Sequence, residues 1–142
     1  MKYENIVVAI DGSDAAEKAF QKSLEVAKNN NSNLILAHVV DSRTFATAEA
    51  YDRTLAERAD EYATEILDRY MAEAKKAGIE NVEKVIEYGS PKIKIAKDIS
   101  KNKECDLIIC GATGLNAVER FLIGSVSENI VRQSDCDVLV VR

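Results

Sequence analysis

Tryptophan is absent from the 142-residue chain, proline occurs once, and the only histidine is His38. One histidine cannot build a multi-histidine metal site, and it leaves no strong general base among the motifs described below. Three cysteines, Cys105, Cys110 and Cys136, make an odd number with no Cys-x-x-Cys spacing, so reduced and mostly buried thiols are expected. Positive charge is in short supply. Nineteen Lys and Arg against 24 Asp and Glu give a net charge of −5, which argues against a nucleic-acid surface. Long apolar runs are missing too. Met1-Lys-Tyr-Glu-Asn leads only into Ile6 to Ile10, too short for a signal-peptide core or a membrane span, so no membrane partner and a cytoplasmic location are expected. There is no repeat, low-complexity segment or linker. What remains is 46% hydrophobic and 30% charged, enough for one domain with a real core over residues 1–142.

Strand and helix patterns alternate along the chain. Asn5-Ile-Val-Val-Ala-Ile10 is a continuous β-branched run, the mark of a central strand covered on both faces. It stops at Asp11-Gly12-Ser13-Asp14, where Ser13 or Asp14 can cap a helix over Ala15 to Asn29. An asparagine-rich turn follows, then a second buried strand, Asn33 to Val40. Asp41 to Ala50 reads as an irregular loop or a frayed helix start. From about Tyr51 the helical period is clear through Leu55, Ala59, Ala63, Ile66, Leu67, Tyr70 and Ala74. Lys75, Lys76 and Gly78 end that helix. Tyr51, Tyr62 and Tyr70 share its spacing and read as packing or rim residues.

Asn81 to Tyr88 interleaves Glu83, Lys84 and Glu87 with apolar residues, which suits a sheet edge. Ser90 and Pro91 open a helix whose inward residues are Ile95, Ala96 and Ile99. A fourth strand over Asp106–Cys110, a loop, a helix from Ser125 to about Ser134 and a last strand, Asp137 to Val141, complete the chain. This alternation predicts an α/β fold: a five-stranded parallel doubly wound sheet of order 3-2-1-4-5, Rossmann-like, with helices on both faces. In that order strands one and four meet where the winding reverses, and ligands bind beyond the strand ends there. Asp11 and Gly111 are the residues at that place.

The stretch from Gly111 to Ser127 carries the chemistry. A buried strand runs into Gly111-x-x-Gly114, nine residues follow, and Gly124-Ser125 opens a helix. Glycines let backbone approach a ligand closely, and the free N–H groups of a helix start favour an anion. The pattern reads as a phosphate cradle. Arg120, inside the spacer, is a candidate for a direct phosphate contact. The Walker pattern Gly-x-x-x-x-Gly-Lys-Ser/Thr is absent.

Here the sequence resembles the universal stress protein family over essentially its whole length, in the form of its ATP-binding branch, whose motif is Gly-x2-Gly-x9-Gly-Ser/Thr. Ile6–Asp11 followed by Gly-Ser, Leu36–Asp41, Gly89-x-Pro91 and Gly124-Ser-Val-Ser-Glu-Asn also match. The resemblance implies ATP (or AMP or ADP) with Mg²⁺. Asp11 would lie by ribose and phosphates and help hold the metal, and Ala9 and Ile10 would neighbour the nucleotide. Val39 would meet adenine through backbone and side chain. Gly111, Ala112 and Gly114 would shape the loop around ribose and phosphates, and Gly124, Ser125, Val126 and Ser127 would bind phosphate oxygens. The sequence departs from a common family form at Ala112-Thr113, where Ser-His or Ser-Arg often stands, which removes a possible polar contact. The resemblance also implies a homodimer through the edge strand Val138–Val141, an unidentified protein partner, and at most slow ATP hydrolysis in a stress-response regulator. Two other readings remain: a nucleotide-free dimerisation module, and an adenylating enzyme on the related scaffold. Asp11-Gly-Ser-Asp14 matches neither the His-x-x-His-like nor the Ser-Gly-Gly-x-Asp-Ser motif of such enzymes.

Overall fold

Alternate residues of the central strands face opposite cores, which is why their sequences show no polar alternation. Ile6 and Val8 of β1 (Asn5–Ala9), Leu34 and Leu36 of β2 (Asn33–Val40), and Leu107 and Ile109 of β4 (Leu107–Gly111) build one core. Val7, Ile35, Ala37, Ile108 and Cys110 build the other. Fully burying a Val, Leu or Ile side chain is worth about 1.5–3 kcal/mol, so a polar residue at any of these points would cost a large part of the fold's net stability. The computed structural model describes residues 2–41, 53–113 and 123–142.

The sheet is parallel throughout and ordered β3-β2-β1-β4-β5, as the alternation predicts, with β3 (Val82–Tyr88) and β5 (Asp137–Val141) at the edges. Helices α1 (Asp14–Asn30) and α2 (Arg53–Lys76) cover the first core through Phe20, Leu24, Leu67 and Tyr70. Helices α3 (residues 91–102) and α4 (Ser125–Gln133) cover the second through Ile95, Ala96, Ile99 and Ile130. Glu83 and Lys84 of β3 are exposed, in keeping with an edge.

The helix ends follow local chemistry. Ser13 caps α1, its hydroxyl oxygen accepting the Ala16 N–H at 3.1 Å, with Asp14 and Glu17 in the first turn. The helix runs one residue past Asn29 and ends at Asn31, whose φ of 52° lies in the left-handed region that asparagine tolerates. Gly78, at φ +96°, closes α2, its N–H donating to the Lys75 carbonyl. Pro91 opens α3, but Ser90 makes no side-chain cap bond, and six central residues, Lys94–Ile99, form a π-helical segment. The inward residues Ile95, Ala96 and Ile99 fit a helical turn of either width, so sequence spacing does not reveal the change. Two strand ends shift by a residue: β1 stops at Ala9, and β4 extends to Gly111.

Candidate functional site

The reversal in sheet order puts the ends of β1 and β4 side by side, and the chain leaves β1 in a tight turn into α1. Beyond β1, Ile10 still donates its N–H to the Ala37 carbonyl at 2.8 Å, while its own carbonyl accepts from His38 Nδ1 at 2.7 Å. A carbonyl can only accept, so Nδ1 carries the imidazole proton and His38 is a bonded structural residue, as its place on a buried strand suggests. Asp11 then folds over the α1 start: its Oδ1 accepts the Ser13 N–H at 2.9 Å and the Ser13 hydroxyl at 2.5 Å. Asp11 therefore orients the cap residue, and Ser13 does the capping. Among the described residues nothing donates to Asp11 Oδ2, and the side chain is half-buried.

Gly111 ends β4 against the first turn of α1. A Cβ there would lie 2.7 Å from the Ala15 carbonyl carbon and 2.8 Å from its oxygen, so only glycine lets helix and strand approach this closely. Its carbonyl accepts the Ser127 hydroxyl, which anchors the buried Ser127, and with it the α4 start, to the strand tip. Ala112 donates its N–H to the Val141 carbonyl at 3.0 Å and accepts the Gly124 N–H at 2.6 Å. Ala112 and Gly124, on either side of the intervening segment, are thereby tied together.

Helix α4 starts in the opposite manner to α1. Its cap position is Gly124, in extended backbone at φ −63°, ψ 158°, with no side chain to accept a hydrogen bond. The first N–H groups of any helix lack intrahelical partners. Ser125, Val126 and Ser127 therefore present three amides that no described residue satisfies, at the positive end of the helix dipole. Ser125 is exposed and Val126 half-buried against the second core.

A third strand end opens on the same side. Along β2, Asn33 and Ala37 bond towards β1, while Leu34 and Val40 bond towards β3. By that alternation the peptide groups of Val39 face β1, beyond the last rung at Ile10 and Ala37. No described residue takes them, although Val39 is 7% exposed. Buried backbone groups are nearly always paired, so this opening calls for a partner. Nearby, the Tyr62 hydroxyl of α2 packs so closely on Gly12 that a Cβ there would lie 1.9 Å from it. The Tyr62 ring meets His38 edge to face at 6.2 Å and is 47% exposed, a rim position as its helical spacing suggests.

Asp11, Gly111, Ala112, Gly124 and Ser127 are thus linked by successive contacts at one end of the sheet, with Ala9, Ile10 and Val39 ending its strands there. Gly114, Arg120, Tyr51 and the segment 42–50 lie outside the described residues. Sequence reasoning missed how Tyr62 rests on Gly12; the Gly12 φ of +85° was signalled only by the glycine itself. Cys110 lies beneath the site, its thiol held above the ordinary range by burial, with the Ser127 hydroxyl opposing. Among the described residues no three His, Cys, Asp or Glu side chains are gathered for a metal. Mg²⁺ held through Asp11 would take its remaining oxygens largely from phosphate and water.

A parallel doubly wound sheet with a carboxylate, and with amides and strand backbone that no described residue pairs, at its switch point defines an α/β fold of the class that receives ligands at strand ends. The universal stress protein profile matches residues 2–142. The chain belongs to the universal stress protein family. It is 49% identical over 142 residues to a putative universal stress protein of Staphylococcus haemolyticus (strain JCSC1435), covering all of this chain and 86% of that one. Among solved structures, the universal stress protein UspA from Lactobacillus plantarum superposes with a TM-score of 0.89 at 33% identity, covering 100% of this chain and 99% of that one. A universal stress protein solved in complex with cAMP matches with a TM-score of 0.73 at 29% identity, covering 100% and 98% of the two chains. Among the described residues no helix is long and apolar enough to cross a membrane.

Proposed function

We propose that this protein binds an adenine nucleotide, ATP with Mg²⁺ or its products ADP and AMP, at the β1–β4 junction, and acts as a cytoplasmic stress-response regulator. The observation that carries the reading is the uncapped start of α4, where Ser125, Val126 and Ser127 leave three amides unsatisfied by any described residue. Uncapped amides at a helix start suit phosphate oxygens. Asp11 Oδ2 would take up a metal held by those phosphates, and Val39 N–H and C=O would pair with the edge of the base. The cAMP complex of a related structure supports a nucleotide in this family.

Phosphates would bring the metal and the leaving group; the chain's own residues bind and orient them. Amides in a fixed turn stabilise negative charge without relaying protons, and His38 Nδ1 is already committed to the Ile10 carbonyl. Binding with at most slow hydrolysis follows. Isothermal titration with ATP–Mg²⁺ against GTP and NAD tests the reading: adenine-selective binding, with turnover below about one per minute against a typical median of about 10 s⁻¹, is expected. Absence of any nucleotide binding overturns it. A nucleotide-free interaction module is the second reading, favoured by the internal bonds that already hold Asp11 Oδ1 and the Ser127 hydroxyl. The proposal includes a homodimer through Val138–Val141, whose outer edge no described strand pairs. Sedimentation at micromolar concentration should give a dimer, and a stable monomer would contradict it.

A further inference from the structure

At the opposite end of the same strands, two cysteines widely separated in sequence come together. Leu107 and Asp137 are the first paired residues of β4 and β5, and Cys105 and Cys136 lie just before them. Their Sγ atoms are 4.0 Å apart, although the residues are 31 positions apart in the chain. Both are free and half-buried, whereas Cys110 is buried. The hydrogen bonds orient the pair. Cys105 donates its S–H to the Leu107 carbonyl at 2.9 Å, which leaves its sulfur lone pairs towards Cys136. The buried Ser100 hydroxyl lies 3.7 Å from Cys136 Sγ, where it can donate to a thiolate.

The geometry points to a redox site: Cys105 and Cys136 form a dithiol that a peroxide closes to an intramolecular disulfide. A bonded pair sits at about 2.05 Å, so the sulfurs need to approach by roughly 2 Å, a side-chain movement at the partly exposed starts of two strands. Cys136 is the thiol that reacts first, because the Ser100 hydroxyl is placed to stabilise its thiolate while the Cys105 S–H is held by the Leu107 carbonyl. Burial, and next the neighbouring Cys136, hold Cys105 well above the ordinary thiol range, so it stays protonated at neutral pH. Cys136 thiolate attacks one peroxide oxygen, the O–O bond breaks, and water leaves after taking up a proton, giving Cys136 sulfenic acid. Cys105 sulfur then attacks Cys136 sulfur, the S–OH bond breaks, and the hydroxide leaves with the Cys105 proton as a second water. Two thiols lose two electrons and one hydrogen peroxide becomes two waters. The closed loop would span β4, Gly111 and all of α4. This inference does not depend on nucleotide binding.

The test is peroxide treatment of the purified full chain, followed by alkylation under denaturing conditions, intact mass and peptide mapping. Alkylatable thiols should fall from three to one, with Cys110 retained, a cross-link between the Cys105 and Cys136 peptides, and recovery of all three on dithiothreitol. In Cys105→Ser, Cys136 should instead be trapped by dimedone as the sulfenic acid. In Cys136→Ser, Cys105 should remain alkylatable. Retention of three thiols by the wild-type chain would overturn the inference. So would a cross-link found only between chains, or Cys136 oxidised to sulfinic acid beside an intact Cys105 thiol.

Discussion

Two glycines at the site serve different ends, and substitution separates them. At Gly111 the obstacle is the Ala15 backbone, which cannot move without shifting α1. Gly111→Ala is expected to cost about 1–3 kcal/mol, the usual range for forcing an extra methyl into a packed site, read as a lower urea midpoint. At Gly124 the missing side chain is what keeps the α4 amides open. Gly124→Asp supplies an N-cap and should leave stability unchanged or raise it by a few tenths of a kcal/mol. Its carboxylate would occupy the place proposed for phosphate, so ATP affinity should fall at least about tenfold, or ~1.4 kcal/mol. Stability and affinity moving together in Gly124→Asp would argue that Gly124 matters for folding alone. At this scale the sequence was legible in part. Gly111, Gly124 and Asp11 could be placed from the glycine spacing and the strand ends. A part for Asp11 at the α1 start was readable from its place before Gly12-Ser13, but the contact of Gly111 with Ala15 was not, because it joins residues on different elements.

Between elements, the packing of α1 on α2 sets a pH limit. Tyr70 of α2 packs against Phe20 of α1 with ring centroids 4.5 Å apart and planes tilted by 47°, and the Arg69 guanidinium lies over its ring. Burial first, then a hydrogen bond to Glu17, pushes its phenol up to about 12. A raised folded-state value favours the neutral phenol in the native state. That stabilisation is therefore complete below the unfolded value near 10 and is lost as pH rises through about 12. Chemical denaturation from pH 9 to 12 should show a falling limb that Tyr70→Phe flattens. The helix ends make a second comparison. Ser13→Ala removes a cap and should cost about 1 kcal/mol, measured by urea unfolding. Helices and strands were readable here because caps and apolar periodicity are local signals. The π-helical segment Lys94–Ile99 was not, since Ile95, Ala96 and Ile99 face inward with either turn.

For the whole molecule, strand order was legible because an alternating chain with right-handed crossovers leaves few arrangements, and β3 declared itself an edge by its charges. The meeting of Cys105 with Cys136 was not legible. Nothing local marks residues 31 positions apart as neighbours until β4 and β5 are set side by side. The same topology brings three separate openings to one end of the sheet: Asp11 after β1, Val39 on β2, and the α4 amides after β4. The central claim is that one adenine nucleotide fills all three. Amide chemical shifts on titration with ATP–Mg²⁺ test it most directly. The account predicts the largest changes at Val39, Ser125, Val126 and Ser127, and little at Ala27 to Ser32 at the far end. Saturable changes confined to that far end, or none at millimolar nucleotide, would contradict it.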